Sequence, residues 1–162
     1  MIGAVIGDII GSHYEWHNVK TKDFDLFPSD CRFTDDSVLT IAIAEKLLRS
    51  EDSNLNNKKT YAMWIKHYFS KFPDAGFGQL FKDWAYSDSL YVQKSYGNGA
   101  AMRVTAIAYA FDNLKDVLRE VEDSCYYTHK NKEAINNKEE EKKPESVPYE
   151  KVKEMKPNKS TR

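Results

Sequence analysis

Thr34, Asp35 and Asp36 are adjacent in the sequence and bring a hydroxyl and two carboxylates to one turn. Thr followed by two acids is typical of a helix start, because the hydroxyl caps the first turn and the carboxylates interact favourably with the helix dipole. The same side chains are hard oxygen ligands, which suit Mg²⁺, Mn²⁺ or Ca²⁺ better than zinc or copper. The sequence therefore predicts a capped helix or a divalent-cation site here.

Glu15 lies between two aromatic residues in the segment HYEWH. An isolated glutamate is usually a surface residue, but Tyr14 and Trp16 suggest partial burial, which would suit Glu15 to acid–base chemistry. His13 and His17 are four residues apart, a spacing that can chelate a metal ion on a helix. Because both are expected beside a loop, zinc is the less favoured interpretation.

A polar, glycine-containing segment precedes a later apolar stretch and consists of Ser95, Tyr96, Gly97, Asn98 and Gly99. Gly-Asn-Gly tolerates positive φ and presents backbone N–H groups at a helix start, a combination that binds phosphate well. An ordinary turn is the alternative. Arg103, one turn later, either reaches the same anion or faces solvent. His129 follows Thr128 near a helix end, where the dipole favours a histidine as a cap.

The elements that must position these residues are helical almost throughout, because apolar residues recur at helical spacing and no strand pair is evident. Five predicted helices cover residues 2–12, 34–50, 79–86, 100–111 and 113–127. Thr34 is the N-cap of the second of these. A further helix is capped by Thr60 and ends before Pro73. A polar loop is expected over 15–33. The predicted class is all-α.

The first helix carries glycines at positions 3, 7 and 11. Glycines four apart form a groove of small residues on one helix face, and each costs about 1 kcal/mol of helix propensity. Three of them therefore indicate close packing or a nearby ligand.

The charge is divided unevenly along the 162 residues, although the formal net charge is only −1. Residues 1–129 hold 18 acids and 14 bases, whereas residues 130–162 hold 7 acids, 10 bases and three prolines. The second segment is too polar to offset its ordering entropy, so we predict a helical domain over 1–129 and a charged, disordered tail over 130–162. Near-neutral charge argues against nucleic acid as a partner.

No apolar run approaches the roughly 20 residues of a membrane span, and the N-terminal segment lacks the features of a signal peptide. We therefore expect a soluble, cytoplasmic protein with no membrane partner. The two cysteines, Cys31 and Cys125, cannot build a disulfide framework or a four-thiolate zinc site, so free buried thiols are expected.

Four motifs in this order resemble the ADP-ribosylglycohydrolase family: GAVIGDIIGSHYEW, CRFTDDSVLTIAIAE, SYGNGAAMRVTAIAYAF and TH followed by NKEAI. The resemblance covers nearly all of residues 1–136. It implies a compact all-α fold around two divalent cations, usually Mg²⁺. It also implies hydrolysis of the N- or O-glycosidic bond between ADP-ribose and a modified protein side chain, so ADP-ribose or an ADP-ribosylated protein would be the partner.

The resemblance also implies roles for individual residues. Thr34, Asp35 and Asp36 match the first metal-ligand motif, and Glu15 matches the acidic residue at the catalytic centre, with Asp35 as a second catalytic carboxylate. Ser95 to Gly99 and His129 match the groups that hold ADP-ribose. Asp8 matches an acidic position of the first motif, for which a structural role at a helix contact is expected.

Nothing in the sequence resembles the family's second metal motif, of Asp-Thr-Asp-Thr or Asp-Ser-Asp-Thr type. The sequence therefore predicts a fold truncated at the C-terminus, with a metal site that is at most partly liganded. An inactive ADP-ribose-binding protein or a helical interaction domain are the alternatives to an enzyme. Apolar faces of 1–12 and 38–48 would then be exposed, which predicts self-association.

Overall fold

A computed structural model describes residues 1–49 and 56–130, and the predicted tail after residue 130 lies outside them. This part of the chain forms six α-helices and one 3₁₀ turn, which confirms the all-α class. The helices are α1 (Ile2–Tyr14), α2 (Asp35–Leu48), α3 (Asn57–Lys71), α4 (Gln79–Tyr86), α5 (Thr105–Ala110) and α6 (Leu114–Cys125), and the 3₁₀ turn is Asn98–Ala100. None of the described helices is long and apolar enough to cross a membrane.

Helix α2 is the central element and packs against α1, α3 and α5, while α6 packs against α3 and α5. Five of its apolar residues are no more than 8% exposed: Val38, Leu39, Ala42, Ile43 and Ala44. The expectation that this face of α2 is uncovered is wrong for these five, because α3 and α5 pack on the helix, whereas Ile41 and Leu48 are 38% and 82% exposed. Helix α1 does expose Ile2 and Ile6, at 76% and 45%, so self-association stays a prediction for that helix.

The start of α2 follows the sequence prediction. Thr34 has extended backbone angles, and its hydroxyl accepts a hydrogen bond from the backbone N–H of Asp36. Asp35 and Asp36 occupy the first turn, where the helix dipole favours negative charge. The cap thus fixes the start of α2 and, with it, the positions of both carboxylates in its first turn.

Two predicted helix boundaries are wrong. Helix α3 begins after Asn56, whose side chain accepts from the N–H of Lys58, so Thr60 lies within the helix and not at its cap. The predicted helix over 100–111 is interrupted: a 3₁₀ turn ends at Ala100, irregular turns follow, and α5 begins only at Thr105. Neither cysteine forms a disulfide within the described residues; Cys125 is buried and Cys31 is partly exposed.

Candidate functional site

An open cavity of about 430 Å³ lies between α1, the start of α2 and the segment after Gly97. It is lined by Ala4, Gly7, Asp8, Gly11, Ser12 and Glu15 from α1 and its end, Thr34, Asp36 and Thr40 from the α2 region, and Asn98 and Met102. Residues from three of the four sequence motifs therefore share one cavity.

The glycines of α1 face open space. A Cβ added at Gly7 or Gly11 would meet no atom within 4 Å, and both residues line the cavity. Close helix packing, one of the two explanations for these glycines, is therefore not what they provide. Their effect is to leave room beside the carboxylates of the same helix.

Asp8 fastens α1 to the start of α2. Its Oδ1 accepts from the hydroxyl of Thr34 at 2.5 Å, and its Oδ2 accepts from the backbone N–H of Thr34 at 2.8 Å. The same Oδ2 accepts from the N–H and the hydroxyl of Ser37 at 3.1 and 2.5 Å. These four bonds show the helix contact expected for Asp8, and they also reveal a contribution from Ser37 that the sequence motifs did not indicate.

Asp35 and Asp36 are half-buried, and both carboxyl groups resist ionisation. Burial, together with the negative charges of Asp36, Glu15 and Asp8, raises the pKa of Asp35 to about 6. Burial also raises the pKa of Asp36, again with Asp8 and Glu15 as contributing charges. Within the described residues none of these four carboxylates takes part in an ion pair. The cluster thus carries negative charge that no side chain nearby neutralises.

The carboxylates differ in where they lie. Glu15 is the C-cap of α1 and is exposed. Trp16 beside it is 78% exposed, so the predicted partial burial of Glu15 is wrong. Glu15 still lines the cavity, as Asp36 does. Asp35 is not among the lining residues, and its Oδ1 lies next to Gly76, at 3.7 Å from where a Cβ of that glycine would be. Gly76 has a φ of 98°, so glycine is favoured there on conformational grounds as well.

The loop Ser95–Gly99 reaches the cavity through Asn98. Ser95 accepts a hydrogen bond from the N–H of Gly97 through its hydroxyl, and Tyr96 is 77% exposed. Positive φ is not used here: among the described residues it occurs only at Gly76. Gly99 is constrained differently, because a Cβ there would lie 3.3 Å from Cε1 of His129.

His129 is buried against this loop and not exposed as a simple helix cap. It lies four residues beyond the end of α6 and pairs with Lys94 in an antiparallel bridge. Its Nδ1 is 2.9 Å from the hydroxyl oxygen of Thr128, and its ring meets Gly99. The motif that contains His129 therefore packs against the loop Ser95–Gly99.

Arg103 does not face solvent, so that expectation is wrong, and its contact with an anion stays a prediction. It is fully buried and donates from Nη2 to the hydroxyl of Thr128 at 2.7 Å and to the carbonyl of Ser124 at 3.0 Å. Its Nε and Nη1 are buried without a hydrogen-bond partner in the described chain. Arg103 therefore supports Thr128, and through it His129, from behind the loop.

An all-helical fold with a carboxylate-lined cavity beside a glycine-containing loop is what the sequence motifs imply, and a family comparison agrees. The family model described as ADP-ribosylglycohydrolase matches residues 1–137, so the chain belongs to this family.

Similar proteins carry the name ADP-ribosylhydrolase ARH3. The one from Xenopus tropicalis is 26% identical over 153 residues, which cover 80% of this chain and 43% of the relative. Those from Mus musculus and Homo sapiens are each 28% identical over 159 residues, with 80% of this chain and 42% and 43% of the relative covered. The chain thus spans less than half the length of these relatives.

Proposed function

We propose that this chain contributes to hydrolysis of the glycosidic bond between ADP-ribose and a modified protein side chain. The observation that carries the proposal is the gathering of Glu15, Thr34 and Asp36 with Asn98 around one cavity. Family membership supports the reaction class, and the relatives are named for hydrolysis of ADP-ribosyl groups. ADP-ribose or an ADP-ribosylated protein is accordingly the proposed partner.

The donor set fits Mg²⁺. Asp35 and Asp36 are half-buried carboxylates with no ion pair among residues 1–49 and 56–130, and oxygen ligands of this kind are the ones Mg²⁺ prefers. The hydroxyl oxygen of Thr34 donates to Asp8 and accepts from the N–H of Asp36, which leaves it one further lone pair. We propose Thr34, Asp35 and Asp36 as the residues that would hold the ion, with water completing its shell.

A bound divalent ion would supply positive charge for orienting ribose hydroxyls and water. Glu15 is the group we propose to take the proton from the attacking water, because it is exposed to solvent and lines the same cavity. Asp35 is the second proposed catalytic carboxylate, adjacent to Asp36 but off the cavity wall. The negative charge of the cluster would stabilise the oxocarbenium-like ribose as the bond breaks.

The opposite wall would hold the ADP-ribose itself. Asn98 lines the cavity and His129 packs on Gly99, so Ser95–Gly99 and His129 are the proposed contacts to the ribose and phosphates. The buried, incompletely paired guanidinium of Arg103 places positive charge behind this wall. In a medium of low dielectric such a charge favours an anionic ligand.

The experiment is release of free ADP-ribose from ADP-ribosyl-arginine and ADP-ribosyl-serine peptides with Mg²⁺. We expect release that EDTA abolishes and that Asp36→Asn or Glu15→Gln lowers by about 100-fold or more. Asp112→Asn, an exposed carboxylate outside the cavity, is the matched control and keeps the wild-type rate. ADP-ribose binding without release would replace the proposal by a binding function. If the chain neither binds nor releases ADP-ribose, a helical interaction domain is the remaining alternative.

A further inference from the structure

A second group of metal-ligating side chains lies outside the cavity. His13 is in the last turn of α1, His17 follows three residues after the helix ends, and Asp30 belongs to the segment leading to α2. One ligand atom from each of these residues lies within 4.8 Å of those of the other two. None of them lines the cavity described above.

The hydrogen bonds of the two histidines decide which ring nitrogen carries the proton. Nδ1 of His17 is 3.1 Å from the backbone carbonyl oxygen of His13, and a carbonyl can only accept. Nδ1 of His13 is 2.7 Å from Oδ1 of Asp30, and a carboxylate oxygen also accepts. Both neutral rings therefore keep the proton on Nδ1 and a lone pair on Nε2.

This is the arrangement that metal-binding histidines adopt. A ligating imidazole usually donates its other N–H to a carboxylate or a backbone carbonyl, which fixes the ring and raises its basicity. Here His13 has the carboxylate and His17 has the carbonyl. The two rings are stacked face to face, with 4.7 Å between centroids and 13° between planes, so one ring must turn before both Nε2 lone pairs point at one ion.

We propose that His13 and His17 bind a zinc-class divalent ion through their Nε2 atoms, with Asp30 as the carboxylate that orients His13. Imidazole nitrogen selects Zn²⁺, Co²⁺, Ni²⁺ or Cu²⁺ over Mg²⁺. Two tetrahedral zinc ligands lie about 3.4 Å apart, given Zn–N bonds of roughly 2.0–2.1 Å. His17 is exposed, so its ring can turn until both Nε2 atoms face one ion, and its Nδ1–H then donates to water in place of the His13 carbonyl.

The site matters for its neighbour in the chain. Glu15 lies between the two histidines and lines the cavity, so an ion on His13 and His17 would fix the segment that carries Glu15. This consequence rests on the proposed function, whereas binding of the ion does not. The two are therefore tested separately.

The test uses the full chain without a polyhistidine tag, in Mg²⁺-free and chelator-free buffer. Co²⁺ is titrated with its visible absorption as the reporter of nitrogen ligands, and Zn²⁺ binding is then measured by calorimetry. We expect a saturable rise of the Co²⁺ absorption that reports nitrogen ligands, its loss in His13→Phe and in His17→Ala, and a roughly 10–100-fold weaker affinity for this ion in Asp30→Asn. The Phe variant keeps an aromatic ring beside His17, so loss of stacking is not the cause.

Two controls separate this site from other groups. His67→Ala removes an exposed histidine of α3, and Asp36→Asn removes a carboxylate of the cavity, and both are expected to keep the Co²⁺ absorption of the wild type. The proposal is overturned if the wild type shows no saturable binding, if His13→Phe and His17→Ala bind unchanged, or if Asp36→Asn abolishes binding. Because the readout is metal binding, a chain without hydrolase activity can still pass the test.

Discussion

The carboxylates near the two ends of α2 have opposite electrostatic environments. Near its C-terminal end, Glu120 of α6 accepts from the hydroxyl of Tyr61 at 2.7 Å and from Asn57 at 3.1 Å, and it lies 3.7 Å from the ammonium of Lys46. Burial alone would raise the pKa of Glu120, but these hydrogen bonds and the charge of Lys46 lower it overall. At the N-terminal end, Asp35 and Asp36 have raised pKa values and no ion pair in the described residues.

The difference separates a structural cluster from a functional one. Glu120 and Lys46 are compensated, so their contacts hold α2, α3 and α6 together. The carboxylates at the α2 N-terminus repel one another, and the helix dipole and hydrogen bonds offset this repulsion only in part. Buried charge without a partner costs stability, and it persists in proteins mostly where a ligand supplies the missing charge. Substitutions in either cluster can test this difference.

The largest effect is expected from Glu120→Ala, because it would leave Lys46 buried at 5% exposure without its carboxylate. Removing one partner of a buried pair costs about 3–5 kcal/mol of the free energy of unfolding. Urea denaturation followed by circular dichroism measures it, with the exposed Glu122→Ala on the same helix as control, at less than about 0.5 kcal/mol. Equal losses in the two variants would contradict a compensated cluster.

Asp8→Ala comes next. Asp8 is the member of the acidic cluster whose oxygens are occupied, by the N–H groups and hydroxyls of Thr34 and Ser37. We expect a loss of about 1–3 kcal/mol, since these donors would be left partly buried and unpaired, although repulsion with Asp36 also falls. The same urea series measures it. A stability gain in Asp8→Ala would show that repulsion outweighs the four bonds.

The order and class of the helices could be predicted because they depend on local signals. The Thr34 cap and the apolar period of α2 are read directly from neighbouring residues, and the structure has both. The interruption between Ala100 and Thr105 could not be predicted, because Arg103 is buried there by donating to Ser124 and Thr128, residues more than 20 positions away. Tertiary contacts of this kind override local periodicity.

The candidate site was predicted in its residue types but not in its geometry. The motifs named Glu15, Asp36 and Asn98, yet nothing in their spacing says that they share a cavity. The prediction of a partly buried Glu15 is wrong because it depends on burial of its aromatic neighbours, whereas Trp16 is exposed. The pairing of His13 with Asp30 and with His17 likewise depends on the path of the loop after α1.

Mg²⁺ should sharpen the contrast between the two clusters. If the ion binds the folded chain at Asp35 and Asp36, a concentration ten times the dissociation constant stabilises it by about 1.4 kcal/mol. Thermal unfolding with and without Mg²⁺ measures this, and Asp36→Asn should remove most of the gain. Glu122→Ala, remote from the cluster, should keep all of it. A similar gain in wild type and Asp36→Asn would place the ion elsewhere.

The smallest effect concerns pH in the metal-free chain. Asp35 takes up its proton near pH 6 when folded but near its ordinary 3.8 when unfolded, so the folded state binds more protons between these values. Stability from this group is therefore present below pH 3.8 and lost as pH rises through about 6. Asn cannot ionise. In EDTA, Asp35→Asn should match the wild type below pH 3.8 and exceed it by about 1 kcal/mol at pH 7, a small gain because water screens a half-buried carboxylate. An advantage that shrinks as pH rises would mean that Asp35 has a cationic partner, and the contrast with Glu120 would then disappear.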